Sequence, residues 1–272
     1  MAEPTGAAMF RTPADAYDRF VGRYGRELAR ALIDAAAVDP GWRVLDVGCG
    51  PGALTAELAV LVGAGNVAAV EPSDTFAAAC RDRVPGARIE VAAAEALPFG
   101  DGAFDAALAQ LVVNFMADPL AGVGEMRRVT RAGGTVAAAV WDYGGGMTML
   151  RQFWDAARAL DPSAERADER HMAYCTSEGL GGLWTDAGLD GVTVASATVG
   201  ADYDGFDDLW APFERGVGPA GAYVVALAPD ARAALREELR RRLGAGDAPF
   251  RLTARAWIAT GFEPRQGFTP HP

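Results

Sequence analysis

Lysine is absent from all 272 residues, so each of the 25 basic side chains is an arginine. With no amine to form a Schiff base or to close a Walker-type phosphate loop, pyridoxal chemistry and ordinary P-loop chemistry are excluded. Histidine is limited to His171 and the penultimate His271, which excludes histidine-rich metal sites. A Ser-His-Asp hydrolase would rest on His171, and no G-x-S-x-G turn accompanies it. Cys49, Cys80 and Cys175 are too few and too scattered for a disulfide framework or a zinc site, and they read as reduced thiols. No apolar run approaches the roughly 18 residues of a membrane span. The opening MAEPTGAAMF lacks a basic segment followed by an apolar core, so a cytoplasmic protein is expected. A net charge of −11 argues against a nucleic-acid backbone or an anionic membrane as the main partner.

Half of the residues are hydrophobic, enough for one well-buried domain with a smaller lid. Strand and helix patterns alternate along the chain, the signature of a parallel α/β sheet. Strands are expected at Arg43 to Val47, Asn66 to Val70, Arg88 to Ala92, Phe104 to Leu111, Thr135 to Trp141, Val192 to Val199 and Phe250 to Thr260. Thr12, Pro13 and Asp15 start a leading helix whose apolar stripe runs Tyr17, Phe20, Val21, Tyr24, Leu28 and Leu32. Ser73 and Asp118 are the expected caps of two further helices. After Trp141 the rhythm changes. Residues 143–175 read as an insertion with one helix and a charged loop, Asp161 to Arg170, that lacks apolar anchors; a second, helical insertion spans about 200–248. The expected organisation is therefore an N-terminal cap segment (1–40), a core (41–142), a cap insertion (143–175) and the rest of the core (176–272).

The stretch VLDVGCGPG, Val44 to Gly52, places glycines at alternate positions after an apolar run, and Ala53, Leu54, Glu57, Leu58, Leu61 and Val62 follow at helical spacing. This is a tight strand-to-helix turn, where a ligand approaches backbone closely and meets unpaired helix N–H groups. Two readings compete. A dinucleotide fingerprint can be placed on Gly48, Gly50 and Ala53 with Glu71 as the ribose acid. Alternatively the run is D-x-G-x-G-x-G, with Asp46 opposing a pyrophosphate but suiting a ligand that carries an ammonium and a sulfonium.

Four stretches in order, VLDVGCGPG, VEPS (Val70 to Ser73), AEALPF with GDGAFD (Ala94 to Asp105) and RVTRAGG (Arg128 to Gly134), resemble the motifs of the class I S-adenosylmethionine-dependent methyltransferases. The resemblance covers about Arg43 to Trp141. It implies a doubly wound, mostly parallel seven-stranded sheet of the Rossmann-like methyltransferase type with helical cap insertions. It also implies methyl transfer from S-adenosylmethionine, leaving S-adenosylhomocysteine, with no metal expected; the alternative within the fold is a protein turned to a non-methylating reaction such as cyclisation or to cofactor binding only. The expected partner is a small-molecule acceptor, with neither nucleic acid nor membrane involved and oligomerisation left open.

The roles the resemblance implies attach to particular residues. Gly48 and Gly50 would let backbone meet the methionine portion, with Asp46 supporting its ammonium. Glu71, followed by Pro72, would accept from both ribose hydroxyls. Adenine would lie beside Ala94 and Glu95; this chain has Ala93 where family members often carry an acid, so Glu95, the Ala94 backbone, or packing by Phe76 and Leu97 takes over. Gln110 and Leu111 would line the site near the transferred methyl. Arg23 is a candidate for the cofactor carboxylate, Tyr17 for cofactor and acceptor contact, and His171 is the available imidazole base. Tyr24 and Asn114 are further candidates for acceptor contact. Trp141, Tyr143, Phe153, Trp154, Trp210 and Phe213 point either to an apolar or aromatic acceptor or to the core of the cap.

Overall fold

The computed structural model describes residues 19–265. Seven strands form one sheet in the order β3-β2-β1-β4-β5-β7-β6: β1 Val44–Val47, β2 Val67–Val70, β3 Arg88–Glu90, β4 Phe104–Gln110, β5 Thr130–Trp141, β6 Asp190–Tyr203 and β7 Phe250–Phe262. The first five pair in parallel, Asp46 lying beside both Ala69 and Leu108, and β7 runs antiparallel between β5 and β6. Every residue of β1 and β2 is buried. That burial explains why both read as continuous apolar runs rather than alternating ones, since a parallel sheet is covered on both faces.

Nine α-helices accompany the strands among the described residues: α1 Gly25–Ala35, α2 Ala53–Val62, α3 Asp74–Arg83, α4 Pro119–Val129, α5 Thr148–Leu160, α6 Ser177–Asp186, α7 Phe206–Glu214, α8 Gly218–Ala226 and α9 Pro229–Leu243. The expected caps are in place. Ser73 Oγ accepts from the Phe76 N–H at 3.4 Å, and Asp118 Oδ1 accepts from the Ala121 N–H at 3.0 Å. Helix α1 packs on α2 and on β4 to β7, while α4 packs on β4, β5 and α6.

Several expectations shift. The leading helix is interrupted: residues 22–24 form a single 3-10 turn, and α1 starts only at Gly25. Gly22 and Gly25 weaken helix propagation there. Strand β6 extends to Tyr203, so the second insertion opens with strand and becomes helical at Phe206. The charged segment at 161–170 is not loose. It forms two 3-10 turns, and the buried Asp168 carboxylate takes both Arg151 (2.5 and 3.1 Å) and Arg170 (2.8 Å). Ion pairs anchor it where apolar residues are missing.

Candidate cofactor site

The glycine turn leaves β1 and is tied to its neighbour β2. Gly48 and Cys49 N–H groups donate to the Val70 carbonyl (2.8 and 3.0 Å), tying the end of β1 to the end of β2. Gly48, Gly50 and Gly52 have φ of +71°, +51° and +93°, a region that L side chains enter only with strain. Their reasons differ. A Cβ on Gly48 would lie 2.6 Å from Val112, and one on Gly52 would lie 2.9 Å from Cys80 Sγ, whereas one on Gly50 would meet nothing within 4 Å. Packing therefore demands the outer two glycines, while the middle one opens onto a cavity of about 300 Å³ that Gly48, Gly50 and the helix start at Ala53 help to line.

Asp46 forms part of the cavity floor. Its Oδ2 accepts from Thr55 Oγ1 at 2.6 Å, while its buried Oδ1 has no partner. Burial pushes its pKa up to about 8, with the Thr55 bond opposing and the nearby Cys80 and Glu71 adding to the rise. An ammonium beside Oδ1 would satisfy this atom and restore the charge. Glu71, at the end of β2, accepts from the Gly50 N–H through Oε2 and the Ser73 N–H through Oε1, both at 3.0 Å. Burial raises its pKa, and the two N–H bonds oppose the rise.

On the far wall, Gln110 Nε2 donates to the Gly25 carbonyl at 3.1 Å, leaving a buried Oε1 without a partner. Leu111 holds φ +62°, a strained non-glycine conformation that ends β4 at the cavity rim. Glu95 Oε1 accepts from Ala117 and Asp118 N–H groups (2.8 and 3.2 Å) and joins the third-motif loop to the loop after β4.

The cavity thus brings together Asp46, Gly48, Gly50, Glu71, Pro72, Ala94, Glu95, Gln110 and Leu111. Other nominated residues lie elsewhere. Arg23 does not line it: its guanidinium bonds both Asp208 oxygens (3.0 and 3.1 Å) and the Arg19 and Asp202 carbonyls, and sits 4.2 Å over the Tyr203 ring. His171 is 66% exposed, pairs with Glu165 at 3.0 Å and is also not in the lining. Tyr17 lies outside the described residues. Tyr24 is fully buried with its hydroxyl 3.0 Å from that of Tyr203, and Asn114 donates to Met172 Sδ. The six nominated aromatics belong to the main hydrophobic core. Phe153 stacks on Phe213 at 4.6 Å, Trp154 packs edge-on to Phe153, and none of the six lines the cavity.

Missed by the sequence reading were Val21, Gly22 and Gly25, which line the cavity in place of Arg23, and Phe115 to Ala117 on the loop after β4. The glycine pair in GRYG was the available signal for the first group: a Cβ on Gly25 would come within 3.3 Å of Ala53. Among the described residues, three carboxylates and no basic side chain line the cavity. That balance opposes a pyrophosphate and suits a ligand with cationic groups.

Residues 45–138 match the family described as methyltransferase domain. An uncharacterized methyltransferase of Mycolicibacterium gilvum is 32% identical over 214 residues, 71% of this chain and 79% of that one. A demethylmenaquinone methyltransferase of Renibacterium salmoninarum is 32% identical over 176 residues, 62% and 72% of the two chains. The fold is also that of phosphoethanolamine N-methyltransferase 2 of Haemonchus contortus, solved with S-adenosyl-L-methionine. The TM-score is 0.58 at 18% identity, covering 93% of this chain and 57% of that one. The chain spans 41% of the length of an uncharacterized Streptomyces fradiae protein and 62% of that of one from Mycobacterium tuberculosis. The chain belongs to the class I S-adenosylmethionine-dependent methyltransferase superfamily.

Proposed function

We propose that the protein transfers a methyl group from S-adenosylmethionine to a small apolar or aromatic metabolite. The observation that carries this reading is the buried, unpartnered Oδ1 of Asp46 in a cavity whose charged lining is entirely acidic among the described residues. Asp46 would hold the ammonium, Gly50 would admit the methionine portion to its backbone, and Glu71 would accept from the ribose diol. Ala92 to Ala94 are small enough to leave room for adenine beside Phe76. The bound cofactor supplies an electrophilic methyl on a sulfonium. This chain's part is alignment and exclusion of water, worth up to roughly 7–11 kcal/mol in well-oriented systems. The wall contributed by Val21, Leu111, Val112 and Phe115 is apolar, which favours an acceptor of that character; the relatives named for demethylmenaquinone fit the same class.

Calorimetric titration with S-adenosylmethionine, S-adenosylhomocysteine and NAD side by side tests the cofactor. Binding of the first two and not the third supports the reading, and the reverse pattern overturns it. Incubation with labelled S-adenosylmethionine and a panel of phenols, quinols and amines then tests the acceptor class, and transfer confined to charged, non-aromatic acceptors would refute it.

A further inference from the structure

Cys49 lies within the glycine turn and lines the cavity, yet is only 6% exposed; Cys80, on α3, is fully buried behind it. The two pack in one small cluster with Ala69, Ala77 and Ile89, and the Cys49 thiol donates to the Gly50 carbonyl at 3.6 Å. Cys80 Sγ also lies 3.5 Å from Thr55 Oγ1, the hydroxyl that donates to Asp46. A buried chain of contacts therefore runs from the thiol pair to the carboxylate on the cavity floor. The turn has no slack against Cys80, because Gly52 presents its Cα face to that sulfur so closely that a Cβ would come within 2.9 Å.

We propose that Cys49 and Cys80 form a reversible disulfide under hydrogen peroxide and that this bond disables the cofactor turn. The inference rests on the reading of the site given above. The neighbouring Cys49 holds the Cys80 pKa down at about 7, while Cys80 and burial push that of Cys49 up, so Cys80 is the thiolate and base of the pair. Peroxide reaches Cys49 through the cavity. The Cys49 sulfur attacks one peroxide oxygen, its proton passes to the Cys80 thiolate, and the O–O bond breaks to leave Cys49 sulfenic acid and hydroxide. The Cys80 sulfur then attacks the Cys49 sulfur; the S–S bond forms, the S–O bond breaks, and hydroxide leaves with the Cys80 proton as water. Contraction to a bond of about 2.05 Å must shift the turn or α3. Either movement displaces the Gly50 N–H from Glu71 and Thr55 from Asp46.

The test treats the chain with hydrogen peroxide, alkylates remaining thiols after unfolding, and maps peptides by mass after cleavage at glutamate, because Glu57 and Glu71 separate the two cysteines. A Cys49–Cys80 linked peptide with Cys175 alkylated is expected. S-adenosylmethionine affinity of the oxidised chain should fall at least tenfold and return with dithiothreitol. Cys80→Ala, or Cys80→Ser if alanine does not fold, should bind equally before and after peroxide. Full alkylation of both thiols, or undiminished affinity in the linked chain, overturns the proposal. A reduced chain that fails to bind S-adenosylmethionine overturns the reading of the site instead, while the mass map still decides the disulfide.

Discussion

Glu71 Oε2 accepts a hydrogen bond from the backbone N–H of Gly50 at 3.0 Å, so the acid that ends the second strand also braces the turn that follows the first. The same carboxylate takes the Ser73 N–H on its other oxygen, beside the cap of α3. One side chain thus couples three segments at the cavity.

Replacing it removes both bonds. Glu71→Ala is expected to weaken S-adenosylmethionine binding by about 1.5–3 kcal/mol, the cost of losing hydrogen bonds to a charged group. Glu71→Gln should recover only part, since its amide accepts one N–H and turns a donor toward the other. Calorimetry on folded variants decides; an unchanged dissociation constant in Glu71→Ala would take Glu71 out of the site.

Asp46 is expected to make cofactor binding pH-dependent. Its folded pKa of about 8 lies above the ordinary carboxylate value near about 4, so the folded chain holds the proton that the unfolded chain has lost. Stability from this group therefore declines as pH rises between those values. A cationic ammonium reverses the preference and expels the proton. Affinity should tighten from pH 6 toward pH 8, with proton release visible as a binding enthalpy that depends on buffer ionisation. Asp46→Asn should lose that release, and its persistence would assign the proton to another group.

The glycines separate packing from ligand space. Gly48→Ala puts a methyl into Val112 in addition to its strained φ, while Gly50→Ala meets open space. Left-handed backbone costs about 1–2 kcal/mol in either, so Gly48→Ala should lower Tm further than Gly50→Ala. Gly50→Val should fold and fail to bind cofactor. Wild-type affinity in Gly50→Val would make the turn purely structural.

Asp168 anchors the segment at 161–170 to α5. Its carboxyl has a pKa below the usual range: burial alone would raise it, but the Arg151 pair, the Arg170 N–H and both guanidinium charges outweigh that burial. The stability it supplies is present above about 4 and is lost as pH falls through the lowered value. Asp168→Ala leaves Arg151, nearly buried, without its main partner and is expected to cost about 3 kcal/mol. Denaturant unfolding measures it, and a loss under about 0.5 kcal/mol would mean the segment is held by other contacts.

By itself, the sequence determined the parts whose physics is local. The strand-to-turn-to-helix unit at Val44 to Val62, the caps Ser73 and Asp118, and the acid after β2 all follow from residues within a few positions of one another. Apolar runs with turn glycines need no distant partner to be recognised. Tertiary structure decided what depends on groups far apart in the chain. Arg23 is claimed by Asp208, which is 185 residues away, and so never reaches the cavity. Phe153 and Phe213 stack on one another, because α5 and α7 are brought together only by the fold. Cys49 and Cys80 read as unrelated thiols until the α3 crossover places one behind the other. In each case the free energy of a side chain depends on which neighbour satisfies it, and that neighbour is chosen by the path of the backbone rather than by the adjacent residues.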